Sequence, residues 1–180
     1  MKYLTCTLVV ILTTLQYHTV QGQQNDFIDD FLVRLENSKK YMVLVAEMMP
    51  EDSYHYRPTP ESLSFAENLL HVGFAMDFHC QTLLGERAPK DWQTDTVYKT
   101  EGKSKKEMIS LIEKTFDETI AFLKEFNPES FGDELDYFGL TRNKRQIILL
   151  LSDHITHHRG QMLVYLRLNN IVPPRYVLYQ

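Results

Sequence analysis

At 180 residues, 43% hydrophobic and 24% charged, with 7 Gly and 7 Pro, the chain is long enough for one domain with a real core and short for two. Its apolar residues are spread along the whole length, which excludes a disordered chain. A formal net charge of −5, with no clustering of Lys and Arg, excludes a nucleic-acid footprint.

Residues 1–22 read as a cleaved export signal. Lys2 supplies the positive start, Leu4 to Leu15 form a short apolar run, and Val20-Gln21-Gly22 offers tolerated residues for cleavage. Spanning a bilayer takes about 20 apolar residues, and Gln16, Tyr17 and His18 end the run well before that. Cleavage near Gly22 removes one Lys and no acid, moving the charge from −5 to −6. It also removes Cys6 and leaves Cys80 as the only thiol. A periplasmic or secreted protein with one cysteine cannot close an internal disulfide, so its core and any metal must stabilise it. No second apolar run nears spanning length, so residues 23–180 are expected to form one domain without stable membrane insertion.

Four helical segments follow. The first runs from about Asn25 to Met49, with Phe27, Phe31, Leu35, Met42 and Ala46 at helical spacing and Pro50 as its stop. The second is expected to open at Thr59-Pro60, with proline at the first helical position. It carries Leu63, Ala66, Leu70, Phe74 and Phe78, and ends at Gly85. A polar stretch from Glu86 to Gly102 leads to Ser104, which with Glu107 forms a capping box for the third helix. Ile109, Ile112, Phe116, Ile120 and Leu123 give that helix one apolar stripe, and Asn127-Pro128 closes it. Thr141 is the expected cap of the fourth, which ends at Asn169-Asn170 before Pro173-Pro174. No segment alternates well enough to be a buried strand. The expected fold is therefore all-α, a four-helix bundle, with two connections (Pro50 to Pro58, Glu86 to Lys103) long enough to leave its topology open.

The fourth helix contains Asp153-His154-Ile155-Thr156-His157-His158-Arg159-Gly160-Gln161. His154 and His158 lie one turn apart and about 40° round the axis, so their rings can converge on one point. Leu151, Ile155, Met162 and Tyr165 share that face, so the pair points at the core. Two core-facing histidines either hold a metal or hydrogen-bond to buried groups, and each needs a polar partner away from water. His157 lies about 100° from His158 and belongs at the edge of the face or outside it. A third ligand must come from another helix. His71, beside Leu70 and a turn before Phe74 and Ala75, is the best placed; His55 sits in a turn and His79 near a helix end. Cys80 is about 180° round the helix from His71 and is expected to be a buried, inert thiol. Three histidines leave at least one coordination position open, a pattern of catalytic rather than structural metal. Neutral imidazoles suit Zn, Ni, Fe or Mn alike. Glu67, one turn before His71, is a weak candidate for orienting His71, for a general base or for a fourth ligand, beside the plainer reading of a solvated charge.

The run His154 to Gln161 with its His-His-Arg-Gly-Gln core, Leu163 to Arg167 and the closing Pro173-Pro174 resembles the last helix of the DinB/YfiT superfamily. Arg57-Pro58 through Ser62, Leu70 and His71 to Gly85 is similar to that family's second helix. The resemblance covers essentially residues 23–180 and implies a four-helix bundle in which His71, His154 and His158 bind a divalent metal. It further implies kinship with thiol-dependent isomerases and S-transferases, in which the metal holds a thiol cofactor as thiolate. Arg159 and Gln161 match the family pattern as weak candidates for engaging an acid at the pocket rim or a substrate carboxylate. Gly160 suggests a close helix or loop contact, since glycine in a helix costs about 1 kcal/mol against Ala.

Two functions follow as expectations. One is a metal-dependent transferase or hydrolase acting on a small molecule in a pocket between the second and fourth helices. The other is a non-catalytic metal-binding or structural module of the cell envelope. A homodimer is compatible with both, because the loop aromatics Tyr54, Tyr56, Trp92, Tyr176 and Tyr179 could cover a partner.

Overall fold

The computed structural model describes residues 26–91 and 93–176. The proposed signal segment, Trp92 and Tyr179 lie outside the described residues. Helix α1 spans residues 26–48 and stops where Pro50 cannot continue it. Phe31, Leu35, Met42 and Ala46 are buried along one stripe, and Phe27 stands edge-on against Phe131 at the bundle end.

Helix α2 (Phe65–Met76) starts later than Thr59-Pro60 suggests. Thr59 to Ser62 closes a turn instead, the Ser62 N–H bonding the Thr59 carbonyl at 3.1 Å. The cap is Ser64: its Oγ accepts the Glu67 N–H at 3.1 Å while Glu67 Oε2 accepts the Ser64 N–H at 2.6 Å. That reciprocal pair satisfies two orphan donors, which a Thr-Pro start cannot do. The helix continues through a π-helical stretch, Asp77–Leu84, and ends at Gly85.

Helix α3 (Lys105–Lys124) opens on the expected Ser104/Glu107 box. Lys105 Nζ reaches back to the Glu47 and Met49 carbonyls at 2.7 and 2.8 Å, so a cation meets the carbonyl end of α1 and ties the two helices. In the long connection between α2 and α3, Tyr98 packs on Gly73, where an added Cβ would stand 2.7 Å from its ring. That is the close approach glycine serves here. Gly160 serves none, since an added Cβ would meet nothing within 4 Å.

Helix α4 (Lys144–Leu168) is capped by Asn143 and Gln146 rather than by Thr141. Thr141 belongs to a short antiparallel hairpin, β1 (Glu134–Tyr137) and β2 (Leu140–Asn143), paired from Glu134↔Asn143 to Tyr137↔Leu140. The described residues are thus mostly helical with four main helices, and the strictly all-α expectation gives way to one exposed hairpin among them. A strand pair on the surface needs no continuous apolar face, so it leaves little trace in hydrophobic patterning. The core runs between the four helices through Met42, Val45, Leu69, Val72, Ile112, Phe116, Ile148 and Leu151. Helix α2 packs on both α3 and α4. Among the described residues no helix is long and apolar enough to cross a membrane.

Two expectations about single side chains resolve differently. Cys80 is fully buried, and burial pushes its thiol well above the usual range, an inert thiol as expected. Tyr54 is no surface residue: it is 1% exposed, and its hydroxyl donates to the Ala46 carbonyl at 2.7 Å. It therefore cannot cover a partner.

Candidate metal centre

The Ser64 cap fixes the phase of α2 so that Asn68 and His71 face α4. From α4, His154 and His158 face back across the seam. The rings of His71, His154 and His158 form a triangle with centroid separations of 5.0, 4.6 and 4.6 Å. One nitrogen from each lies within 4.8 Å of the other two, and among the described residues this group comprises these three side chains.

The donor set fits a divalent ion. Ligand imidazoles must be neutral, and burial lowers His71 to about 4, helped by His154. Burial, with His71, His154 and His157 nearby, lowers His158 to about 3. His154 is also lowered, by burial and then by His157. Three neutral rings are crowded together, and His154 Nε2 is buried with no hydrogen-bond partner. A buried ring nitrogen without a partner is expensive, and an electropositive ion meeting its lone pair would offset that cost.

Asn68 decides which nitrogen His158 offers. Its Nδ2 donates to the Leu63 and Ser64 carbonyls at 3.2 and 2.9 Å. Carbonyls only accept, so the amide orientation is fixed and Oδ1 faces His158 Nδ1 at 2.8 Å. His158 therefore carries its proton on Nδ1 and presents Nε2 as the free donor. This is the arrangement by which an outer partner orients a metal-binding imidazole. The sequence holds a signal for Asn68: a poor helix former standing one turn before Val72 on a face otherwise apolar, fully buried in the fold. The reasoning that singles out the histidines applies to it equally.

His79 also joins the neighbourhood. A straight α-helix would set it roughly 80° off His71, but the wider π turn lags that phase and brings its ring to 6.1 Å from His154. Its Nδ1–H donates to the Ala75 carbonyl at 2.7 Å, and its Nε2 accepts from the Tyr137 hydroxyl at 3.1 Å. Burial, with His154 adding to it, lowers this ring to about 4 despite the Ala75 bond.

The weaker candidates are engaged elsewhere. Glu67 has Oε2 in the helix cap and Oε1 paired with Arg57 at 2.6 Å. Against the upward pull of burial, the Ser64 N–H and Arg57 hold its carboxyl below the usual range. Arg159 points to the opposite side of α4, bonded to Ser38 Oγ at 3.0 Å and stacked near Tyr41 and Tyr176. It is 6% exposed, not a surface ion pair. Gln161 donates from Nε2 to His157 Nε2 at 2.8 Å on the exposed face. That bond also places His157 outside the cluster, as its helical phase requires.

Comparison with known proteins agrees with this geometry. The chain is 26% identical over 153 residues to "Uncharacterized protein YjoA" of Bacillus subtilis, covering 81% of this chain and 90% of that protein. The crystal structure of YjoA, a DinB-like protein, matches with a TM-score of 0.62 at 20% identity, over 83% of this chain and 96% of that one. A DinB-like protein from Bacillus cereus matches with a TM-score of 0.66 at 18% identity, over 80% and 93%. These two structures share the fold. The DinB superfamily model matches residues 34–162, a span that takes in most of the described helices and all three clustered histidines, and the chain belongs to that superfamily.

Proposed function

We propose that this protein holds one divalent metal ion on His71, His154 and His158 and uses it to act on a small molecule, as a transferase or hydrolase. The observation that carries the reading is the convergence of three neutral imidazoles, one with a buried nitrogen left unpartnered. Bound there, the ion supplies Lewis acidity at neutral pH. Asn68 holds His158 in the tautomer that donates through Nε2, and the seam between α2 and α4 excludes water from the far side of the rings. With Glu67 committed to its cap and to Arg57, the reading of an open position, and so of chemistry rather than structure, is favoured over a closed structural site. Export through residues 1–22 is part of the proposal and rests on the sequence pattern alone.

Protein made without a chelating tag should contain about one divalent ion per chain by elemental analysis, or take one up on loading. A chain that holds none and can be loaded with none refutes the reading. If a loaded chain binds no exchangeable small ligand at the metal, the non-catalytic alternative stands in its place.

A further inference from the structure

From the three imidazoles a run of aromatic rings leads outward to the hairpin and back. Phe74 lies nearly parallel to His71 at 6.3 Å, and Phe78 parallel to Phe74 at 6.3 Å. Phe138 meets Phe78 at 5.7 Å and Tyr137 at 4.8 Å. Tyr137 packs on His79 at 5.6 Å, and His79 returns the run to His154. His71, Phe74, Phe78, Tyr137 and His154 are each only half-buried, and Phe138 is 78% exposed. The run therefore has a face open to solvent, continuous with the candidate metal ligands.

Two independent features mark this face as built. Phe138 and Gly139 form the two-residue loop of the hairpin, with φ of 54° and 81°. Such a loop favours Asn-Gly or Asp-Gly, and a bulky side chain at its first position is a backbone outlier. An exposed phenylalanine held in a strained conformation, with its ring laid against Phe78, has no explanation in core packing. Strain of this kind gathers at ligand-contacting positions. The second feature is how the hairpin is anchored. Because the Ala75 carbonyl can only accept, His79 Nδ1 bears the proton, so Tyr137 donates its hydroxyl hydrogen to Nε2. The anchor's polar atoms are thus engaged with one another, and the side chains of Phe74, Phe78 and Phe138 bring no charge and no hydrogen-bonding group to this face.

We propose that Phe74, Phe78 and Phe138 form a binding subsite for an uncharged aromatic group on the small molecule whose other end reaches the metal. The proposal rests on the metal reading above and names its substrate class: an aryl compound with a metal-binding head. Stacking on Phe78 and Phe138 supplies the discrimination, since offset ring pairs gain beyond the area they bury.

The test uses the full chain loaded with cobalt(II), titrated with acetohydroxamate and with benzohydroxamate while the visible cobalt spectrum is followed. Benzohydroxamate should bind about tenfold more tightly than acetohydroxamate. In Phe138→Ala that ratio should fall about fivefold, with acetohydroxamate affinity changed less than about twofold. Phe138 is exposed, so the variant should fold; Phe78→Leu, which keeps apolar bulk without a ring, should lower the ratio as well. A chain that takes up no cobalt overturns the metal reading and the subsite with it. A chain that takes up cobalt, yet keeps one unchanged ratio in wild type and both variants, overturns the subsite alone.

Discussion

Helix α4 buries polar side chains on two sides, and His158 and Arg159, neighbours in the chain, go to different ones. Toward α1, the Arg159 guanidinium meets Ser38 Oγ and the rings of Tyr41 and Tyr176, while Tyr41 donates to the Pro174 carbonyl at 2.8 Å. Those contacts fasten the segment after α4 onto α1. Toward α2, the polar atoms aim at one another: three imidazoles converge and one nitrogen has no partner. Both residues are under a tenth exposed, so burial does not distinguish them. What distinguishes them is convergence: the Arg159 guanidinium is spread over Ser38 and two rings, whereas three histidine nitrogens meet within 4.8 Å. Polar groups spread over separate partners tie elements of the fold together, whereas groups that converge on one point are the arrangement a shared ligand would need.

The largest expected effect separates the two sides outright. His154→Ala or His158→Ala should lower metal affinity by more than about 100-fold, while His157→Ala changes it less than about threefold, as measured by competition with a chromophoric chelator. Equal losses in all three variants would erase the distinction between faces. Asn68→Leu should weaken the metal about 10- to 100-fold by freeing the His158 ring. Asn68→Asp keeps an acceptor for the Nδ1–H but sets a carboxylate oxygen against the Leu63 and Ser64 carbonyls, so it should hold metal better than Asn68→Leu while lowering stability.

Acid sharpens the contrast further. Free histidine titrates near 6.5, whereas His71 and His79 are lowered to about 4 and His158 to about 3, chiefly by burial. Between those values the unfolded chain binds more protons than the folded one, so stability rises with pH across that window. Metal-free protein should thus lose melting temperature as pH falls from about 6.5 towards 4, and His158→Ala should flatten the slope. The α1 side should show the reverse pattern of sensitivities. Arg159→Leu should destabilise the fold by about 1–3 kcal/mol in urea unfolding, with metal affinity unchanged. A matching loss of metal would tie the two sides together. Smallest of all, Gly160→Ala should stabilise by up to about 1 kcal/mol, because its Cβ meets nothing within 4 Å.

Much of this was legible in the amino acids. Periodicity gives all four helices, because the stripes of Phe31-Leu35-Met42 and Ile112-Phe116-Ile120 are long and regular. It also gives the phase of His154, His158 and His157. Starts are less legible: Thr59-Pro60 and Thr141 are reasonable caps, and only the competing Ser64/Glu67 and Asn143/Gln146 boxes displace them. The hairpin hides because its strands are exposed and its loop is Phe-Gly rather than Asn-Gly. His79 hides for a different reason. Counting at 3.6 residues per turn assumes a straight α-helix, and the π stretch breaks that assumption after the position of His71 is set.

The π turn has a further consequence for chain length. Eight residues, Asp77–Leu84, wind there with more residues per turn than the helix before them. Deleting Asp77 or Phe78 would swing every later side chain of the helix by about 100°. His71 and Asn68 would stay where they are, but the ring that anchors Tyr137 would turn away and the hairpin would lose its mooring. Substitutions in this stretch can be absorbed one at a time. A deletion before His79 cannot, so the spacing between His71 and His79 matters to the hairpin as well as to the helix.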